Sequence, residues 1–263
     1  MKANRLFVST VLYICGCTTT ETTLQKEESN PPLSEQAFAH TTHSLMDIST
    51  YTKKVERAVS FYRDNVRNRP NNKKPLILIL GSSSTGGMSH QNRHFWPAYL
   101  QKNMPNYHIQ SLAVGGATTW HIAKILHLVG VKADFCILYA GHNDRMESAP
   151  RQSLAQLEQG LTPQKAGFTT WVTPKELIKN LDTMSNYCGK IFGIDEYVVP
   201  NKEPLTNYIQ ALEQHPNVTY ISVSKELSTE DQKKIMRDTI HFQPYGHERF
   251  ASLLSQKLQK LGL

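Results

Sequence analysis

Cysteine is scarce in this chain: four occur among 263 residues, and two of them, Cys15 and Cys17, stand at the extreme N-terminus. A disulfide-dense scaffold is thereby excluded, because such scaffolds use several bridges to replace a core they are too small to build. Of the other two, Cys136 sits inside an apolar run and reads as a small buried hydrophobe, and the sequence leaves open whether it pairs with Cys188. The formal charge of +7 is carried without a Lys/Arg block, an RNP-like aromatic motif or a helix-turn-helix pattern, which argues against nucleic acid as a partner. His94, His121 and His142 lack a spacing that defines a metal site, so no metal is assigned. No internal repeat is evident. With 39% hydrophobic and 19% charged residues, the chain can bury one full core but hardly two.

The N-terminus carries a specific pattern. Lys2 and Arg5 precede an apolar run over residues 6–15 that is too short to span a bilayer, so residues 1–16 read as an export signal. The run ends in Ile14-Cys15-Gly16-Cys17, which resembles the bacterial lipobox. That resemblance implies cleavage before Cys17, lipid modification of Cys17 and, with Thr18 rather than Asp next, an outer-membrane anchor; the alternative is a plain signal peptide with two incidental cysteines. Cleavage would remove two basic and no acidic residues, lowering the formal charge from +7 to +5. Residues 17–48, rich in Thr, Ser, Glu, Gln and Pro, read as a flexible tether.

Residues 49–74 form an N-terminal helical segment: Tyr51, Val55, Val59, Tyr62 and Val66 fall on one face of a helix that ends before Pro70. From 75 onward, aliphatic runs over 75–80, 108–114, 134–140, 190–194 and 218–223 suit strands buried on both faces of a parallel sheet. Stretches long enough for helices separate them, and Phe250, Leu253, Leu254, Leu258 and Leu261 predict a closing helix. The alternation predicts an α/β domain over 75–263. A polar stretch between Asp144 and Trp171 reads equally as a pocket-shaping insertion or a surface excursion.

In such sheets, functional groups gather at the carboxyl ends of the strands. Four segments lie there: Gly81-Ser82-Ser83-Ser84-Thr85-Gly86-Gly87, Gly115-Gly116-Ala117-Thr118, Gly141-His142-Asn143-Asp144 and Asp238-Thr239-Ile240-His241. Ester cleavage by serine needs a base and oxyanion donors, and these segments supply a hydroxyl, an imidazole with a carboxylate three residues away, a glycine N–H and an amide. The first segment lacks the lysine of a phosphate-binding loop, where Gly87 stands, and the last glycine of an α/β-hydrolase elbow, where Thr85 stands. Taken singly, Asn143 reads as a turn residue and Asp238 as a helix cap. Asp195 and Glu196, ending the fourth strand, read first as a solvated loop pair and second as pocket-lining groups. Trp120, Phe168 and Trp171 read as core aromatics before they read as stacking platforms.

Jointly, the four segments resemble the blocks of the SGNH hydrolase (GDSL-like lipase/esterase) superfamily over residues 75–263. The resemblance implies a three-layer α/β/α fold with a five-stranded parallel sheet in flavodoxin-like order and a cofactor-free hydrolysis. It implies a triad of Ser83, Asp238 and His241, and an oxyanion hole of the Ser83 N–H, the Gly116 N–H and Asn143. Two departures are Ser82 where the family usually has Asp, which puts part of the loop's hydrogen bonding in doubt, and Gly115 where it often has Ser. The superfamily's substrates span acetylated carbohydrate, lipid and thioester. The lipobox and the lack of a long apolar loop favour an O-acetyl esterase on an envelope or extracellular carbohydrate. The alternatives are a lipid esterase or lysophospholipase, and a non-catalytic glycan-binding envelope lipoprotein.

Overall fold

The computed structural model describes residues 48–67, 73–86, 94–145, 172–197 and 206–263, which fall in a unit spanning 44–263. The signal and lipobox at 1–17, nearly all of the tether, the 146–171 stretch, Phe168 and Trp171 lie outside the described residues. Five strands form one sheet: β1 Leu76–Gly81, β2 His108–Ala113, β3 Ala133–Ala140, β4 Cys188–Asp195 and β5 Val218–Ile221. All are parallel, in the order β2-β1-β3-β4-β5, so the strand order reverses beside β1. Eight helices are described: α1 Ile48–Arg67, α2 Trp96–Asn103, α3 Thr119–Val129, α4 Pro174–Ser185, α5 Thr206–Gln214, α6 Ser224–Ser228, α7 Gln232–Ile235 and α8 Pro244–Lys260. The five aliphatic runs become the five strands, with ends shifted by a residue or two.

Pleating divides each run between two cores. Leu76, Leu78 and Leu80 of β1 face one side with Cys136 and Leu138 of β3, where Tyr62 of α1, Ile122 and Leu126 of α3, Leu181 of α4 and Leu212 of α5 cover them. Ile77, Ile79, Ile137 and Tyr139 face the other, against Trp96 and Leu100 of α2 and Phe250, Leu254 and Leu258 of α8. With both faces covered, the strands carry continuous apolar sequence, as all-parallel sheets require. Truncating any one of these buried aliphatics to alanine costs about 2–5 kcal/mol.

The α1 helix is fastened to the sheet as well as packed on it. The buried Tyr62 hydroxyl donates to the Ala113 carbonyl at 3.1 Å and accepts from the Ala113 N–H at 2.9 Å. It thereby satisfies both backbone groups of Ala113 on the side of edge strand β2 that no strand pairs. Cys136 and Cys188, left open by the sequence, form a disulfide between β3 and the start of β4, with Cα atoms 5.6 Å apart. Closing a loop of 52 residues in the unfolded chain is worth about 4 kcal/mol in the chain-entropy account.

Candidate active site

The first turn follows from where β1 stops. After Gly81, residues Ser83–Thr85 form one turn of 3₁₀ helix, closed by the Thr85 N–H to Ser82 carbonyl bond at 3.1 Å and the Gly86 N–H to Ser83 carbonyl bond at 3.1 Å. The turn exposes Ser83 and buries Ser82 and Ser84. Of three consecutive serines, only the middle hydroxyl is therefore presented to a ligand.

The opposite wall is built by the segment between α7 and α8. Met236 and Phe242 form an antiparallel bridge, the Arg237 N–H donates to the His241 carbonyl at 2.8 Å, and the Gln243 N–H donates to the Ile235 carbonyl at 2.7 Å. Gly246 permits this closure, because a Cβ there would collide with the Ile235 carbonyl oxygen. Inside the loop, Asp238 Oδ1 accepts the N–H groups of Ile240 and His241 at 2.9 and 2.8 Å, and Oδ2 lies 2.8 Å from His241 Nδ1. Asp238 is thus a turn-forming residue and the histidine's partner at once; no described helix begins at it, so it is not the helix cap that its type suggests in sequence.

His241 Nε2 lies 3.0 Å from Ser83 Oγ. With Nδ1–H donating to the carboxylate, Nε2 is the free lone pair and accepts from the Ser83 hydroxyl; the tautomer follows from the partners. Burial works to raise the Asp238 pKa, but the His241 hydrogen bond and the two backbone N–H groups outweigh it, leaving the carboxyl well below the usual range. Arg237 Nη2, 3.4 Å from Oδ2, stands at the exposed rim.

Gly116 and Asn143 come from the ends of β2 and β3. Gly116 is exposed and has φ of +81°, a left-handed conformation that glycine adopts without strain; no atom lies where its Cβ would be, so backbone conformation rather than space selects the residue. Its N–H, like that of Ser83, enters no backbone hydrogen bond among the described residues. Asn143 opens a second 3₁₀ turn, and its Nδ2 donates to the Ala117 carbonyl at 3.0 Å. One of the two amide hydrogens thus fixes the side-chain plane and leaves the second to serve a ligand. Next to it, the buried Asp144 accepts from the Thr119 N–H at 2.7 Å and the Thr119 hydroxyl at 2.8 Å, tying this turn to the start of α3.

Asp195 and Glu196 are buried, not the solvated loop pair that their place at the end of the fourth strand suggests in sequence. Asp195 accepts from the Val223 N–H at 3.2 Å and the Ser222 hydroxyl at 3.3 Å, joining the ends of β4 and β5. Glu196 accepts from the Ser84 hydroxyl and the His142 N–H, each at 2.7 Å. Carboxylates directly after an apolar strand look like solvent-facing turn residues in sequence, and only the convergence of neighbouring turns supplies them with partners. His121 and His142 are buried and His121 completes the capping box of α3 with Thr118, while Trp120 packs half-buried against the first core.

His247, on α8, escaped the sequence reading. It is buried, with ring centroids 4.6 Å from Phe95 and 5.4 Å from Phe242. Burial, helped by the nearby charges of Arg237 and His241, pushes its pKa down from 6.5 to about 3. The unfolded chain binds this proton near pH 6.5 and the folded chain only near 3, so the stability from a neutral His247 is full above that window and falls as the pH drops through it. Between pH 7 and 5, urea unfolding of the wild type should lose about 2 kcal/mol more than unfolding of His247→Phe. Equal losses would mean that His247 is not held neutral.

Three comparisons bear on this arrangement. No curated protein matches the chain in sequence. Among solved structures, the putative platelet activating factor from Streptococcus pneumoniae is similar with a TM-score of 0.52 at 16% identity, over 78% of this chain and 93% of that one. The acetylxylan esterase Axe2 from Geobacillus stearothermophilus is similar with a TM-score of 0.51 at 14% identity, over 72% and 94%. The salicylyl-acyltransferase SsfX3 from a tetracycline biosynthetic pathway has a TM-score of 0.51 at 16% identity, over 74% and 56%. These likenesses speak to the fold, which is the five-stranded α/β architecture expected from the sequence. The model of the GDSL-like lipase/acylhydrolase family matches residues 79–249, more than half of the chain and all four turns described above. The chain therefore belongs to the GDSL-like lipase/acylhydrolase family and is a carboxylic ester hydrolase of the SGNH type.

Proposed function

We propose that Ser83 is the nucleophile of this esterase, His241 its general base and Asp238 the carboxylate that orients the base. The N–H groups of Ser83 and Gly116 and the amide of Asn143 hold the oxyanion. The observation that carries this reading is the continuous hydrogen-bonded chain from Ser83 through His241 to Asp238, at 3.0 and 2.8 Å. As Ser83 Oγ attacks the ester carbonyl, its proton passes to His241 Nε2, and the imidazolium formed is stabilised by Asp238. The tetrahedral oxyanion collapses by expelling the alcohol, which takes the proton back from His241, and leaves an acyl group on Ser83. Water, deprotonated by His241, then releases the acid.

For substrate, the reading is an O-acetyl group on an envelope or extracellular carbohydrate. Support comes from the composition of the four turns, which offer little to build an aliphatic slot: among residues 82–85, 115–118, 141–144 and 238–241, Ile240 is the one aliphatic side chain larger than alanine. A short acyl group needs no such slot, whereas a lipid chain does. The acetylxylan esterase Axe2 is a precedent for that chemistry on a similar fold. Measured on p-nitrophenyl acetate, butyrate and decanoate, kcat/KM of the full chain should fall with acyl length, by about 100-fold or more from acetate to decanoate. A preference for decanoate would replace this reading with a lipid esterase, and a folded protein inert to a fluorophosphonate probe would replace it with a glycan-binding protein.

Export and anchoring at Cys17 belong to the same proposal. They are supported by the short apolar run behind Lys2 and Arg5 and by the Cys136–Cys188 bridge, a bond that persists in oxidising compartments. Membrane fractions should contain a form beginning at an acylated Cys17, and Cys17→Ala should move the protein to the soluble fraction. An unprocessed chain in the cytoplasm would contradict the anchor.

A further inference from the structure

Glu196 is a buried carboxylate to which the reaction gives no direct task. It is 4% exposed, and its two oxygens serve two different turns. Oε1 accepts from the hydroxyl of Ser84, the residue after Ser83, and Oε2 accepts from the backbone N–H of His142, the residue before Asn143, both at 2.7 Å. One planar group thus bridges the turn that presents the hydroxyl and the turn that presents the amide.

The bridge is itself anchored. Asp195, the preceding residue, is held by the Val223 N–H. Tyr197, the following one, donates its N–H to the Tyr139 hydroxyl at 3.1 Å and its own hydroxyl to Gln232 Oε1 at 2.7 Å. By contrast, the nucleophile turn is weakly fastened by its own side chains: Ser82, which stands where the family usually has Asp, makes no capping bond.

We propose that Glu196 is a positioning residue that sets the distance between the Ser83 nucleophile and the Asn143 oxyanion donor, an inference that rests on the reading of both as catalytic groups. Removing the carboxylate leaves a buried hydroxyl and a buried N–H without this acceptor and frees the two turns to shift against each other. A displacement of about 1 Å at reacting groups is enough to cost on the order of 100-fold in rate. Glutamine, however, can keep the geometry: its carbonyl oxygen accepts from the His142 N–H, and its amide donates to Ser84 Oγ, whose hydroxyl rotates to accept.

The test is kcat and KM of the full chain on p-nitrophenyl acetate for Glu196→Ala, Glu196→Gln and Ser84→Ala, with thermal unfolding of each and Ser83→Ala alongside. Expected are a fall in kcat of about 100-fold for Glu196→Ala with KM changed less than about threefold, recovery to within about threefold of wild type for Glu196→Gln, and a fall of about tenfold for Ser84→Ala. A folded Glu196→Ala with wild-type kcat overturns the proposal. So does a Glu196→Gln as slow as the alanine variant, because charge rather than geometry would then be what matters. Should Glu196→Ala not fold, Ser84→Ala and Glu196→Gln decide, and wild-type kcat in Ser84→Ala overturns it. Activity surviving in Ser83→Ala would instead locate the failure in the nucleophile assignment.

Discussion

Replacing Ser83 with alanine is expected to lower kcat for ester hydrolysis by about 10⁶-fold while leaving the fold and substrate binding intact. The side chain is exposed at the tip of its turn and contributes nothing to the core, so its loss costs little stability. What disappears is the atom that forms the acyl-enzyme. Ser82 and Ser84 cannot take over, being buried, with the Ser84 hydroxyl committed to Glu196. His241→Ala should be nearly as damaging, and the double variant hardly worse than either single one, because hydroxyl and base act as one unit. The assignment is checked by single-turnover and steady-state rates on p-nitrophenyl acetate beside near-ultraviolet circular dichroism. A folded Ser83→Ala within tenfold of wild type would end it.

Asp238→Asn should lower kcat by about 10⁴-fold, and the reason lies in how the two carboxylate oxygens divide their work. Oδ1 accepts the N–H groups of Ile240 and His241 and lies 3.0 Å from His241 Nδ1, with Oδ2 the nearer partner of that nitrogen, so an amide there must keep its carbonyl oxygen on the Oδ1 side to preserve the turn. Its NH₂ then occupies the place of Oδ2, 2.8 Å from His241 Nδ1, and donates to a nitrogen that itself donates in the native protein. The imidazole answers by moving its proton to Nε2, which can no longer accept from Ser83. The loop is kept and the base is lost. The carboxyl of the wild type sits well below the ordinary range, so it stays ionised through mildly acid conditions, and a fall of activity there belongs to other groups. Nitrogen NMR of the histidine ring would show the proton on Nε2 in the variant; an unchanged tautomer with unchanged kcat would refute this division of labour.

Much of this was legible in the sequence. Continuous aliphatic runs marked strands covered on both faces, and the carboxyl ends of three of them marked the turns of Ser83, Gly116 and Asn143; Asp238 and His241 stand instead on the loop between α7 and α8, from which His241 reaches Ser83. The tight turn of Asp238 to His241 was readable because three residues suffice to close it. Glu196 was not, since its partners, Ser84 and His142, lie 112 and 54 residues away and reveal nothing in its own neighbourhood. The Tyr62 clamp and the burial of His247 escaped for the same reason: each depends on which helix lands on which strand. Ser82 shows the converse case. The residue looked like a defect when read against the family pattern, and the fold supplies a carboxylate to that turn from the end of β4.

The most direct measurement is the mass of the intact protein and of its Ser83 peptide after rapid acid quench of a reaction with p-nitrophenyl acetate. The expected result is one acetyl group on the wild type, localised to Ser83, and none on Ser83→Ala. An acetyl group on another residue, or rapid turnover in Ser83→Ala, would contradict the acyl-enzyme account.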